Sequence, residues 1–169
     1  MNKHKLPILG FSLLLLITAC KKNDVQYENM EATPTVSAPV STPVSEWKTM
    51  NNWATSKGEK FTTYATSIGD SSITNAVVTN GLVLAFVKID NSVNALPFQQ
   101  KGANDAYWYY QVSTENVSFS VDSYKGTQAL NAAEFKYFVF SPEKLSDLEA
   151  KGYSKIKLMQ LSYDEVAAL

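Results

Sequence analysis

Eight residues, Leu82 to Ile89 (LVLAFVKI), set the tightest limit on what this chain can fold into. A strand with water on one side alternates apolar and polar residues, and this run does not. An apolar run of strand length therefore predicts a central strand covered on both faces. Something must pack on each side of it.

The neighbouring segments supply candidates for those layers. Phe61 to Ser67 is rich in threonine and aromatics, and Phe135 to Phe140 (FKYFVF) is a second strong strand. Ala106 to Thr114 and Val117 to Tyr124 flank the polar turn Thr114-Glu115-Asn116 and predict a hairpin. In its second arm Val117, Phe119 and Val121 alternate with Ser118, Ser120 and Asp122, giving one buried face and one wet face. Leu96-Pro97-Phe98 is short, and its proline suits a sheet edge or a strand end.

Helices are expected to be short. Ile73 to Asn80 follows Ser71-Ser72, with Gly81 where a left-handed cap belongs. Pro142 to Lys151 has Ser141 as its cap, proline at the first position and Gly152 beyond its end. Ser162 to Glu165 is a capping box opening Tyr163 to Ala168. Ile156 to Met159 is where a strand parallel to the one ending at Phe140 could form. The expected class is mainly β: an antiparallel sandwich or partly open barrel with two or three short helices.

The amino terminus decides what the rest of the composition means. Lys3 and Lys5 precede an apolar stretch, and Ile17-Thr18-Ala19-Cys20 ends it on the only cysteine. From Leu6 to Ala19 a helix would reach about 21 Å at roughly 1.5 Å per residue, short of the roughly 30 Å of hydrocarbon a spanning helix crosses. The pattern predicts a bacterial lipoprotein signal over residues 1–19, removed so that Cys20 becomes the lipidated first residue. Its diacylglyceryl group, usually joined by a third acyl chain such as palmitate, would hold the protein to the membrane. Lys21 follows the cysteine in place of the aspartate that signals inner-membrane retention in some bacteria, so the expected address is the outer membrane, facing the periplasm or the surface. Residues 20–45, with Pro34, Pro39 and Pro43 among Ser, Thr and Val, read as an extended tether reaching roughly 80 Å at about 3.1 Å per residue. Residues 46–169 carry all three tryptophans and form the expected globular domain.

Processing also subtracts chemistry. It removes His4, the only histidine, and lipidation consumes the only thiol. The chain has no arginine, and without Lys3 and Lys5 it keeps 13 lysines against 16 acidic residues, a side-chain charge of −3. No imidazole remains to activate a serine or cysteine nucleophile, and the usual zinc ligands are gone. A mildly acidic domain without arginine is a poor partner for nucleic acid. No cofactor is expected. A binding module is expected more than an enzyme, with an assembly subunit of an envelope complex as the alternative. A hydrolase using paired carboxylates is the third possibility, since that chemistry needs no histidine.

Several short motifs resemble a family of small, uncharacterised lipoproteins of the Bacteroidetes type. They are Ile73-Thr74-Asn75-Ala76-Val77-Val78-Thr79-Asn80-Gly81-Leu82-Val83-Leu84, then Leu96-Pro97-Phe98, then Phe135-Lys136-Tyr137-Phe138-Val139, and finally Ser162-Tyr163-Asp164-Glu165-Val166. Lys136 stands where arginine is usual, and Asp164 where glutamate is common. The resemblance implies a surface location and one fold unit across residues 73–166. It implies no catalytic residues.

Three patterns could carry chemistry. Ser141 to Lys144 matches the S-x-x-K of serine acyl-enzymes, but the pattern recurs at Ser45–Lys48 and Ser154–Lys157, and the following proline marks Ser141 as a helix cap. Asp90, Ser92 and Asn94 are spaced like calcium-loop ligands, yet Ala95 replaces the glycine and Lys101 the glutamate such a loop needs. Tyr107-Trp108-Tyr109-Tyr110 puts aromatics on both faces of a strand, which means rings buried on both sides or rings offered to a ligand. Aromatics beside amides and acids suit sugars, so the candidate ligand-binding set is Trp108, Tyr110, Asp105 and Asn104, for a glycan or an envelope protein.

Overall fold

The computed structural model describes residues 45–126, 128 and 130–169. The expected signal, Cys20 and the expected tether up to residue 44 lie outside these residues. Among the described residues, nine strands form two antiparallel sheets. The first contains β1 (Lys48–Thr49), β9 (Glu134–Phe140), β4 (Leu82–Ile89) and β5 (Ser92–Ala95), in that order across the sheet. The second contains β2 (Ala54–Lys57), β3 (Thr62–Gly69), β8 (Asn116–Ser123), β7 (Ala106–Ser113) and β6 (Phe98–Gln100), again in spatial order. The mainly-β sandwich expected from the sequence is the fold.

The LVLAFVKI strand has the double burial its composition demands. Val83, Ala85 and Val87 point into the space between the sheets and meet Phe119, Val121, Phe135 and Tyr137 there. Leu84 and Phe86 point the other way and pack with Phe138, Phe140, Leu145, Leu148 and Leu158. Phe135, Tyr137 and Val139 of β9 face the sandwich, while Phe138 and Phe140 face the helices. The four-stranded sheet is thus a middle layer between the other sheet and a helical layer. Those helices are α2 (Pro142–Ala150), α3 (Lys155–Leu158) and α4 (Tyr163–Ala167), and α1 (Asn75–Asn80) joins the two sheets. Among the described residues, no helix is long and apolar enough to cross a membrane.

Local chemistry explains where the elements start and stop. Ser141, Ser154 and Ser162 each accept a hydrogen bond from a first-turn backbone N–H of α2, α3 and α4, and Glu165 completes the capping box at Ser162. Two of the S-x-x-K serines are therefore helix caps. The third, Ser45, bonds the backbone of Tyr137. Three expectations need correction. Ile156 to Met159 is not a parallel strand: Ser154 caps a helical turn there, and only Leu158 is buried. The first helix is capped by Thr74 rather than Ser71-Ser72, and Gly81 is extended rather than left-handed. Asp90 and Asn91 form a two-residue turn, both with positive φ (47° and 64°), joining β4 to a strand, β5, that composition had concealed.

Candidate functional site

The outward face of the five-stranded sheet follows directly from strand register. The turn after β7 contains two residues, Thr114 and Glu115, so Ser113 pairs with Asn116 and Tyr107 with Asp122. Opposite residues of an antiparallel pair share a face. The wet residues of β8 therefore carry Tyr107, Tyr109, Gln111 and Ser113 outward with them. The β3 register adds Thr63, Ala65, Ser67 and Gly69, the β2 register adds Ala54 and Ser56, and β6 contributes Gln99.

These fifteen positions form four rows across the strands. The longest row runs Gln99, Tyr107, Asp122, Thr63, Ser56, and spans about 19 Å at roughly 4.8 Å between strands. The next is Tyr109, Ser120, Ala65, Ala54. Not one of the fifteen is buried, whereas Val117, Phe119 and Val121 on the inward side of β8 are fully buried. Tyr107 and Tyr109 are the largest side chains on the face, and their rings stack with centroids 5.5 Å apart. Beside them β8, β3 and β2 present only small or short side chains. The result is an aromatic ridge along a shallow polar floor.

Asp122 sits where ridge and floor meet. The Thr63 hydroxyl donates to its Oδ1 at 2.7 Å, while Oδ2 has no partner among the described residues, and Asp122 is half-buried. A second pair of rings closes this end of the sheet. Continuing the registers one step brings Asp105 opposite Tyr124 and Tyr124 opposite Phe61; the Asp105 carbonyl accepts from Tyr124 N–H at 2.9 Å, and the Phe61 and Tyr124 rings lie 5.4 Å apart. Both rings are substantially exposed, at 37 % and 48 %.

The residues nominated from sequence are distributed differently. Trp108 is a correction: it is 1 % exposed, packs against Phe135, and donates its indole N–H to Gln100 Oε1 at 3.0 Å. Tyr110 is also inward, and its hydroxyl donates to the Val83 carbonyl at 2.7 Å, crossing from one sheet to the other. Burial pushes the Tyr110 hydroxyl above its ordinary pKa. Both are core residues with a satisfied polar tip, and neither is free to stack on a ligand from the outward face. Asp105 borders the face, but its Oδ1 is buried without a hydrogen-bond partner. Asn104 is exposed, outside the paired rows, in a loop packed closely against Gly126.

Sequence reasoning missed Tyr107 and Tyr109, although a signal for them existed. A three-residue turn of Thr114, Glu115 and Asn116 would pair Ser113 with Val117 and set Trp108 opposite Asp122. Shortening the turn by one residue exchanges the faces of the whole aromatic run. Among the described residues, no group of three or more His, Cys, Asp or Glu side chains is placed to hold a metal ion. No family model, curated protein or solved structure matches the chain.

Proposed function

We propose that this chain is a lipid-anchored protein of the bacterial cell envelope, in the outer membrane, whose β-sandwich is a non-catalytic binding module for a glycan. The observation that carries the reading is the Tyr107–Tyr109 ridge beside a floor of serine, threonine and alanine. An aromatic ring can cover the apolar face of a sugar while neighbouring hydroxyls, amides and a carboxylate take its hydroxyl groups. The outward side chains of β8, β3 and β2 are short enough not to obstruct a chain lying along the ridge. Of the two carboxylates at this end of the face, Asp122 stands in the rows while Asp105 lies beyond them with Oδ1 buried, an arrangement that favours binding over hydrolysis by a facing pair. The lipid at Cys20 and the 20–45 tether would hold this face away from the bilayer.

A glycan array probed with the whole protein in detergent tests the proposal. Tyr107→Ala and Tyr109→Ala should each weaken binding tenfold or more, about 1.4 kcal/mol, without altering the melting temperature appreciably. Absence of binding, or binding indifferent to both substitutions, would sink it.

A second reading is favoured by a different observation. Ile156 of α3 and Met159, its C-cap, are 71 % and 62 % exposed, and Met159 also lines a cavity of about 100 Å³ with Leu84, Phe86, Leu96, Tyr110 and Leu158. An apolar patch on the helical side suits contact with another envelope protein, as in an assembly subunit. Cross-linking in cells from a photoreactive residue at 156 should then recover one defined partner, and a diffuse smear would count against it.

A further inference from the structure

We propose that the outward face is selective for uncharged glycans over anionic ones, and that Asp122 is the residue that sets this preference. The inference rests on the glycan reading and deepens it.

Asp122 is the only charged residue among the fifteen outward positions. The others are hydroxyls, amides, two phenols, alanines and a glycine, so the face itself offers no cation to a carboxylate or sulfate. Lys60 and Lys125 stand in the segments beyond the last paired row, so they border the floor without occupying it. Lys57 is paired with Thr62 on the opposite parity, and among the described residues Asp122 is in no ion pair with any lysine.

Asp122 is also positioned. It stands in register between Tyr107 on β7 and Thr63 on β3. The Thr63 hydroxyl spends its only proton on Oδ1 at 2.7 Å, which leaves Oδ2 without a partner among the described residues on a side chain in register with Tyr107. A sugar stacked against Tyr107 presents hydroxyl donors at its edge, and a charged acceptor bonds these more strongly than a neutral one. A uronic acid or sulfate in the same place meets the like charge of a carboxylate that no lysine pairs, which disfavours it by about tenfold or more. The carboxylate thus favours one ligand class and rejects the other.

The test compares retention of the whole protein on immobilised uncharged polysaccharides (amylose, xylan, galactomannan) and on carboxymethylated forms of the same polymers. The uncharged form that binds should be preferred by about tenfold or more over its carboxymethyl counterpart at low salt, and the ratio should shrink at high salt. Asp122→Asn keeps the side-chain shape and an oxygen for Thr63, and should reduce the ratio to near one, mainly by improving the anionic form. Thr63→Val leaves the charge unheld, and should weaken uncharged binding while keeping the discrimination. Equal or tighter binding of the carboxymethyl form by the unsubstituted protein, or an unchanged ratio in Asp122→Asn, would overturn the inference while leaving glycan binding standing. Retention of neither form, or retention unaffected by Tyr107→Ala, would overturn the glycan reading and this inference with it.

Discussion

Tyr137 shows how a single residue can tie both sheets together. Its ring lies in the core between them, and its hydroxyl donates to Asp70 Oδ2 at 2.8 Å, just past the end of β3. Burial, then the bond to Asp70 and that residue's negative charge, push the Tyr137 hydroxyl well above the ordinary value of 10.0. Burial alone would push Asp70 up, yet hydrogen bonds from Ser72 and Tyr137, with the charge of Lys48, hold it below 3.8. A group that titrates higher when folded stabilises fully below its unfolded pKa and loses that contribution as pH rises through the folded value. Tyr137 therefore supports the fold up to about pH 10 and progressively less above it. Asp70 runs in the opposite sense: its contribution is present above pH 3.8 and is lost as pH falls through its folded value. Tyr137→Phe should lower stability by about 1 kcal/mol at pH 7. In urea melts that gap between the two proteins should narrow above pH 10; a gap constant to pH 11 would refute the assignment.

Two glycines show how differently elements are ended. Gly152 follows α2 with φ of 86°, the left-handed region that disfavours a side chain, and a Cβ there would meet nothing within 4 Å. Gly81, between α1 and β4, has an ordinary φ of −80°. A Cβ there would fall 2.6 Å from the Phe140 carbonyl oxygen and 2.7 Å from Val77 backbone atoms. The glycine is required because backbone passes it on two sides, not because of its dihedral angle. Gly152→Ala should cost about 1 kcal/mol, and Gly152→Asn less, because asparagine tolerates that region. Gly81→Ala must displace backbone and should cost about 1–3 kcal/mol or more, with no rescue by asparagine. Thermal melts of the four proteins would separate the two causes. The sequence placed a glycine stop at both positions correctly, but it could not distinguish a dihedral requirement from a steric one, because the second depends on where β9 runs.

At the scale of the molecule, β4 and β9 belong to two cores at once. Phe119 and Phe135 pack between the sheets at 4.6 Å, while Phe86 and Phe138 pack toward the helices at 5.8 Å. Because one pair of strands supplies both, neither core can be lost without exposing the back of the other. Phe119→Ala and Phe138→Ala should each cost about 3–5 kcal/mol and each leave one unfolding transition, with near-ultraviolet and far-ultraviolet signals coincident. Early loss of the helical signal in Phe138→Ala would show two independent units instead. The proposed anchor belongs to this scale as well. Cys20→Ser should move the protein from the membrane fraction to the soluble one, since the proposed attachment is made by the acyl chains at that residue.

The sequence by itself determined the mainly-β class, the double coverage of Leu82 to Ile89, and the caps at Ser141 and Ser162. Each of these is written in local periodicity or in a side chain that bonds its own neighbours. It also predicted the lipidated Cys20 and the tether, whose signals are compositional. Only the tertiary structure decided which aromatics meet solvent. Whether Trp108 or Tyr107 faces outward turns on one residue of turn length, and a strand's two faces look alike when both carry rings. The proposed binding face exists only as rows assembled from five strands, and no single segment of the chain contains one.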